Sequence, residues 1–175
     1  DETHHVIAII PGSREKELNR HLPHMIDAAR ILQKKFSKTI FVVSEAKSLP
    51  EGIIDSFLTK SEKFIFTYRG ELSELLRISD FSIVSSGTAS LESSVVGVES
   101  ILIYKTDFLT YLLAKYFLMR VDYIGLPNLI AGEEVVPELL QRKVNGPEIA
   151  KLVENTYVEV GGNKEEKHFI TQIRK

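Results

Sequence analysis

Short runs of branched and aromatic residues recur along this chain at fairly even spacing: Val6–Ile10, Thr39–Val43, Phe64–Thr67, Phe81–Val84 and Ile101–Tyr104. No other feature restricts the fold as much, because runs this short and this apolar read as strands covered on both faces. Helical patterns stand between them: Glu15–Lys35, with Met25, Ile26, Ala29 and Ile31 at helical spacings, then Ile53–Thr59, Leu72–Ile78 and Ala89–Val96. Such alternation predicts right-handed crossovers and a largely parallel sheet. The expected class is therefore α/β, a Rossmann-like parallel sheet with helices on both faces. Beyond Tyr104 the pattern becomes mainly helical, over Asp107–Arg120, Val136–Gln141 and a segment from Asn145 with Pro147 in its first turn.

With 175 residues, 43% of them apolar, the chain suits one compact domain. Its 22 basic and 24 acidic residues give a net charge of −2, so no basic field favours nucleic acid as a partner. The absence of cysteine leaves no disulfide framework or thiolate metal site and suits the cytosolic side. No run approaches the ~18 apolar residues of a membrane span. The abrupt entry from "DETHH" into the first strand, and the uncapped amphipathic end "NKEEKHFITQIRK", suggest a piece of something longer. The helix Asp107–Arg120 is apolar almost all round, which predicts burial against the sheet or another domain.

In an open parallel sheet, ligands sit beyond the carboxyl ends of the strands. Two turns there carry candidate residues. The first, "IAIIPGSREKE", turns through Pro11 and Gly12, with Ser13 as the expected N-cap and Glu15 and Glu17 in the first helical turn. Arg14 opposes the helix dipole there. Either an anion is expected at that helix end, or Arg14 pairs with Glu17 or Glu15 on the surface.

The second turn, "VSSGTASLESS", leaves a strand at Val84 and passes Ser85, Ser86, Gly87 and Thr88 into a helix. Backbone amides, hydroxyls and a glycine that permits close approach make a phosphate seat. An N-cap at Ser86 explains the same residues without a ligand. Glu92 cannot close a capping box, because residue 89 is alanine. With Leu91 and Val95 facing the core, its carboxylate stands near the same helix end, either to accept from a ribose diol or as an exposed acid. A third stretch, "YIGLPNLIAGEEVVPELLQ", places Asn128 in a packed apolar loop, as architecture or as a ligand contact.

Several familiar arrangements are missing: G-x-G-x-x-G, the P-loop, D-x-D and G-x-S-x-G. His21 and His24 flank Pro23 with no third ligand nearby, so solvent-facing histidines are expected rather than a metal site.

Taken together, "PGSREKEL", "SSGTASLE" and "LPNLIAGEEVVPELLQ", in this order, resemble the C-terminal half of the lipid-A-disaccharide synthase family, with the last stretch the most specific. "TDFLTYLLAKYFL" adds that family's T-x-x-L-A-K pattern at Thr110, Leu113, Ala114 and Lys115. The resemblance implies the donor-binding domain of a two-domain GT-B glycosyltransferase. It would span residues 1–175, with 157–175 as a C-terminal helical extension and the N-terminal acceptor domain, which holds the general base, outside the chain. The implied reaction joins the sugar of UDP-2,3-diacylglucosamine to the 6-hydroxyl of 2,3-diacylglucosamine 1-phosphate, with inversion, releasing UDP. It implies no cofactor and no metal.

By the same resemblance, Arg14 is the catalytic arginine, meeting the diphosphate. Gly12 and Ser13 belong to the nucleotide site, the Ser86, Gly87 and Thr88 amides face the diphosphate, Glu92 holds the ribose, and Asn128 completes the nucleotide pocket. A backbone contact from the Tyr68–Gly70 turn to uracil follows by analogy with GT-B folds. Implied partners are the two lipid substrates, the chain's own N-terminal domain, the inner face of the inner membrane peripherally, and a second copy. In "GVESILIYKT" the chain departs from the family at Val98, Glu99 and Lys105; Lys105 keeps a charge but loses the planar fork of arginine. Another UDP-sugar GT-B enzyme, an N-acetylglucosamine transferase or 2-epimerase, and a non-catalytic nucleotide-binding module remain the alternatives.

Overall fold

The computed structural model describes residues 5–106 and 123–161. Its elements run β1 (His5–Ile10), α1 (Glu15–Lys35), β2 (Thr39–Ser44), a 3-10 turn (Ile53–Phe57), β3 (Ile65–Tyr68), α2 (Leu72–Ile78) and β4 (Phe81–Ser85). There follow α3 (Thr88–Val96), β5 (Ser100–Tyr104), α4 (Leu126–Ala131), β6 (Glu138–Leu140), a 3-10 turn (Gln141–Lys143) and α5 (Gly146–Gly161). The expected helix at Asp107–Arg120 and the chain end beyond residue 161 lie outside the described residues.

The six strands form one sheet in the order β3-β2-β1-β4-β5-β6, and every neighbouring pair is parallel. The chain winds outward from β1 to β3, returns to the centre, and winds outward again from β4. The order therefore reverses between β1 and β4, where Ile10 stands opposite Val84 in register. A crevice opens at such a reversal, beyond the carboxyl ends of the two strands.

Alternation along each strand divides the core. Ile7, Ile9, Phe41, Val43, Phe81, Ile83, Ile101 and Ile103 face α1 and α5, meeting Leu18, Leu22, Met25, Ile149 and Val153. Ala8, Ile10, Val84 and Leu102 face the other way, against Leu75 and Leu76 of α2. Burial on both faces is the reason these strands are continuous apolar runs.

Three expectations on local structure change. Val136–Gln141 is not a helix: Glu138–Leu140 pairs with Leu102–Tyr104 as a short edge strand, and Leu102 N–H donates to Pro137 O at 2.9 Å. Pro137, which lacks an N–H, precedes the strand instead of opening a helix. Residues 126–131, read as loop, form α4, which ends at Gly132 in the left-handed region (φ 73°).

The third change concerns α3, which does not bury Leu91 and Val95. Val95 is 74% exposed, while Ser90, Ser93 and Ser94 are buried. The Ser93, Ser82 and Ser100 hydroxyls lie 2.6–2.9 Å from one another between α3, β4 and β5. Small side chains let this helix lie close to the sheet, and mutual hydrogen bonds remove the cost of burying their hydroxyls.

Candidate functional site

The turn after β1 is closed by its own side chains. Gly12 has φ 116°, a region that side chains other than hydrogen rarely adopt, and a Cβ there would lie 2.6 Å from Glu17 Oε2. The Glu17 carboxylate accepts from Ser13 N–H at 3.2 Å and from Arg14 Nη1 at 2.7 Å. Helix α1 starts at Glu15, and its N-cap is Arg14 with no side-chain cap, so the cap falls one residue after the expected Ser13. Ser13 O instead accepts from Ser48 Oγ at 2.8 Å, tying this turn to the one after β2. The surface pair weighed for Arg14 exists, and its side chain is 79% exposed. Such pairs contribute ~0.2–1 kcal/mol and leave most guanidinium donors uncommitted.

The turn after β4 is open. Ser86 N–H donates to Ile103 O at 2.8 Å, which extends the sheet pattern by one residue. The N-cap of α3 is Gly87 rather than Ser86, and no side chain caps it. Gly87 has an extended backbone, and among the described residues a Cβ there would meet nothing within 4 Å. Neither backbone angle nor packing thus requires glycine at this position. Thr88 is exposed at the first helical position, and Glu92 follows one turn later, half-buried with no side-chain partner among the described residues. The ordinary capping explanation of this turn is removed by the geometry.

His21 overturns the solvent-facing expectation. It is 5% exposed, with Nδ1 3.2 Å from Pro11 O and Nε2 3.2 Å from Lys105 O and 3.3 Å from Lys105 N. Burial is the main cause that holds its pKa below the ordinary imidazole value. One turn on, His24 Nε2 lies 2.6 Å from Lys105 Nζ. Burial and then the Lys105 charge lower His24 as well. The ammonium of Lys105 is thus directed toward α1.

Asn128 lies outside any accessible position: it is fully buried in α4. Nδ2 donates to Val136 O (2.7 Å) and Glu138 Oε1 (2.6 Å), while Oδ1 accepts from Val135 N–H (2.9 Å) and Val136 N–H (2.8 Å). Its two donors and two acceptor sites are all engaged, so in this arrangement it has no group left for a direct nucleotide contact. Glu138, which the sequence reading passed over, also accepts from Ile124 N–H (3.1 Å) and Gly125 N–H (2.8 Å). A lone acid inside the apolar stretch "VVPELL" was the available signal.

At the turn after β3, the Arg69 guanidinium pairs with buried Glu45 and donates to Lys47 O and Leu49 O. Arg69 therefore braces the neighbouring turn, while the Tyr68–Gly70 backbone remains at the same edge of the sheet. Gly12, Ser13, Arg14, Ser86, Gly87, Thr88 and Glu92 belong to the two segments that flank the sheet reversal. Among the described residues no group of three or more His, Asp or Glu could hold a metal ion. No helix among them is long and apolar enough to cross a membrane.

A parallel sheet that reverses its order between two such turns defines a Rossmann-like α/β domain. A family model described as lipid-A-disaccharide synthetase matches residues 1–174, and the chain belongs to this family. The lipid-A-disaccharide synthase of Sulfurihydrogenibium sp. (strain YO3AOP1) is 40% identical over 157 residues, covering 83% of this chain and 40% of that protein. Lipid-A-disaccharide synthase 1 of Legionella pneumophila (strain Lens) is 36% identical over 150 residues, covering 86% and 39%. The chain thus spans about two fifths of the length of these curated relatives. Among solved structures, E. coli ADP-heptose lps heptosyltransferase II shares the fold with a TM-score of 0.61 at 10% identity, over 92% of this chain and 49% of that one.

Proposed function

We propose that this chain is the donor-binding half of a lipid A glycosyltransferase and holds the UDP of UDP-2,3-diacylglucosamine at the β1–β4 reversal. The observation that carries the reading is the uncapped turn at Gly87, facing open space beside an exposed arginine in a chain of this family. The first amides of α3 meet the diphosphate, and Gly87 gives it room. Glu92 accepts from the ribose hydroxyls. Asn128 acts one step back, by fixing the α4–β6 loop.

In the reaction, the acceptor's 6-hydroxyl attacks the anomeric carbon from the face opposite UDP, and the bond to the diphosphate oxygen breaks with its electron pair. Arg14 swings from Glu17 and stabilises the charge that develops on the departing diphosphate. The hydroxyl proton passes to a base in an N-terminal domain. No step in this scheme calls on a metal or cofactor. The protein works at the inner face of the inner membrane, peripherally, with its two lipid substrates.

Calorimetric titration with UDP tests this reading. Arg14→Ala is expected to weaken binding about tenfold or more, the scale of a lost charge-assisted bond, and Glu92→Ala somewhat less. Unchanged affinity in both variants would defeat the site. Turnover of only unacylated UDP-sugars by the full-length protein would replace the donor assigned here.

A further inference from the structure

We propose that His21 is a positioning residue, whose ring ties the turn carrying Arg14 to the exit of β5 across the end of β4. Its functional half rests on the nucleotide reading above. Pro11 and Lys105 directly follow strands separated by β4, a gap of about two strand spacings, ~9.6 Å. An imidazole with a partner at each nitrogen is about that long, and His21 has both partners. Pro11 leaves β1 and Lys105 leaves β5; the strand between them feeds the Gly87 turn. One side chain therefore braces both sides of the candidate site.

The chemistry of the partners sets the protons. Pro11 O only accepts, so Nδ1 carries a hydrogen. In the neutral ring Nε2 then accepts from Lys105 N–H; in the imidazolium Nε2–H donates to Lys105 O, and Lys105 N–H loses its partner. Protonation thus exchanges one peptide group of Lys105 for the other while the Pro11 contact persists. The charged and titratable groups that face the ring are Glu17, Arg20 and His24 on α1 and Lys105 at the exit of β5. Burial outweighs Glu17 and favours the neutral ring near neutral pH.

Two substitutions separate the two contacts. His21→Asn puts a donor where Nδ1 stands, His21→Gln reaches to where Nε2 stands, and His21→Leu keeps neither. The full chain is compared by amide hydrogen exchange and by UDP affinity at neutral pH. In His21→Leu the Lys105 amide is expected to exchange about tenfold faster and UDP to bind severalfold more weakly. His21→Gln restores protection at Lys105, and His21→Asn does not. On acidification the wild-type Lys105 amide loses protection together with titration of the His21 ring; in His21→Gln that step disappears, although His24 still titrates. If His21→Leu is too unstable to measure, the contrast between Asn and Gln decides. Equal Lys105 exchange in wild type and all folded variants overturns the tie. UDP affinity that falls in Arg14→Ala but not in His21→Leu overturns the role in binding alone. Failure of wild type to bind UDP overturns the nucleotide reading and the functional half with it, and exchange still judges the tie.

Discussion

The turns after β1 and β4 stand side by side at the same reversal of the sheet, yet they are built in opposite ways. The first is filled: Glu17 accepts the Ser13 amide and the Arg14 guanidinium, and both φ and packing require Gly12. The second is unfilled, with no cap on α3 and no contact that requires Gly87. A protein carboxylate occupies the anion-accepting position of one turn, while nothing of the chain occupies it in the other. A diphosphate that bridges the turns must therefore displace Glu17 on one side only.

The sharpest test of this asymmetry is a matched pair of alanine substitutions. Gly12→Ala forces a strained φ and a 2.6 Å clash, and the melting temperature should fall by an amount corresponding to about 2–4 kcal/mol. Gly87→Ala should cost less, about 0.5–1 kcal/mol in the same melt, because an N-cap prefers glycine to alanine but the extended φ and the open space add neither strain nor clash. Its effect should appear instead as weaker UDP binding, and a large loss of stability would break the comparison.

Acid provides a second, intermediate effect. His21 and His24 both have folded pKa values below their ordinary ones, so between those values the unfolded chain binds more protons. Their stabilisation is complete above the unfolded value of ~6.5 and is lost as pH falls through the folded values. Denaturation midpoints should drop over that range, and His21→Gln should flatten part of the slope. The smallest effect is expected for Glu17→Gln. Removal of the competing carboxylate should strengthen UDP binding by a factor of a few at little cost in stability, since the exposed pair contributes ~0.2–1 kcal/mol. Weaker binding there would mean that Glu17 orients Arg14 for the ligand rather than competing for it.

Five strands and the two turns were legible in the sequence because their signals are local: apolar runs, and the Pro, Gly and Ser residues that end them. What escaped depends on partners distant in the chain. β6 is three residues long and becomes a strand only against the edge that β5 offers. The buried face of α3 is made of serines: Ser90 and Ser94 donate to carbonyls one turn back, but Ser93 finds its partners only once β4 and β5 are in place. His21 finds one of its contacts 84 residues away, and no spacing rule within α1 could indicate it. The sequence leaves Asn128 open between architecture and a ligand contact; its burial and its four bonds fit holding a loop, which composition alone does not distinguish from holding a ligand.

The serine trio beneath α3 has a further consequence. Ser100 Oγ also donates to Val98 O at 2.9 Å, which leaves two hydroxyl hydrogens for three oxygen–oxygen contacts. One edge of the triangle is then without a proton, and three placements of the two hydrogens satisfy the other edges. The helix that carries Glu92 thus rests on a contact with more oxygen pairs than hydrogens, a bearing on which no single bond pattern is imposed.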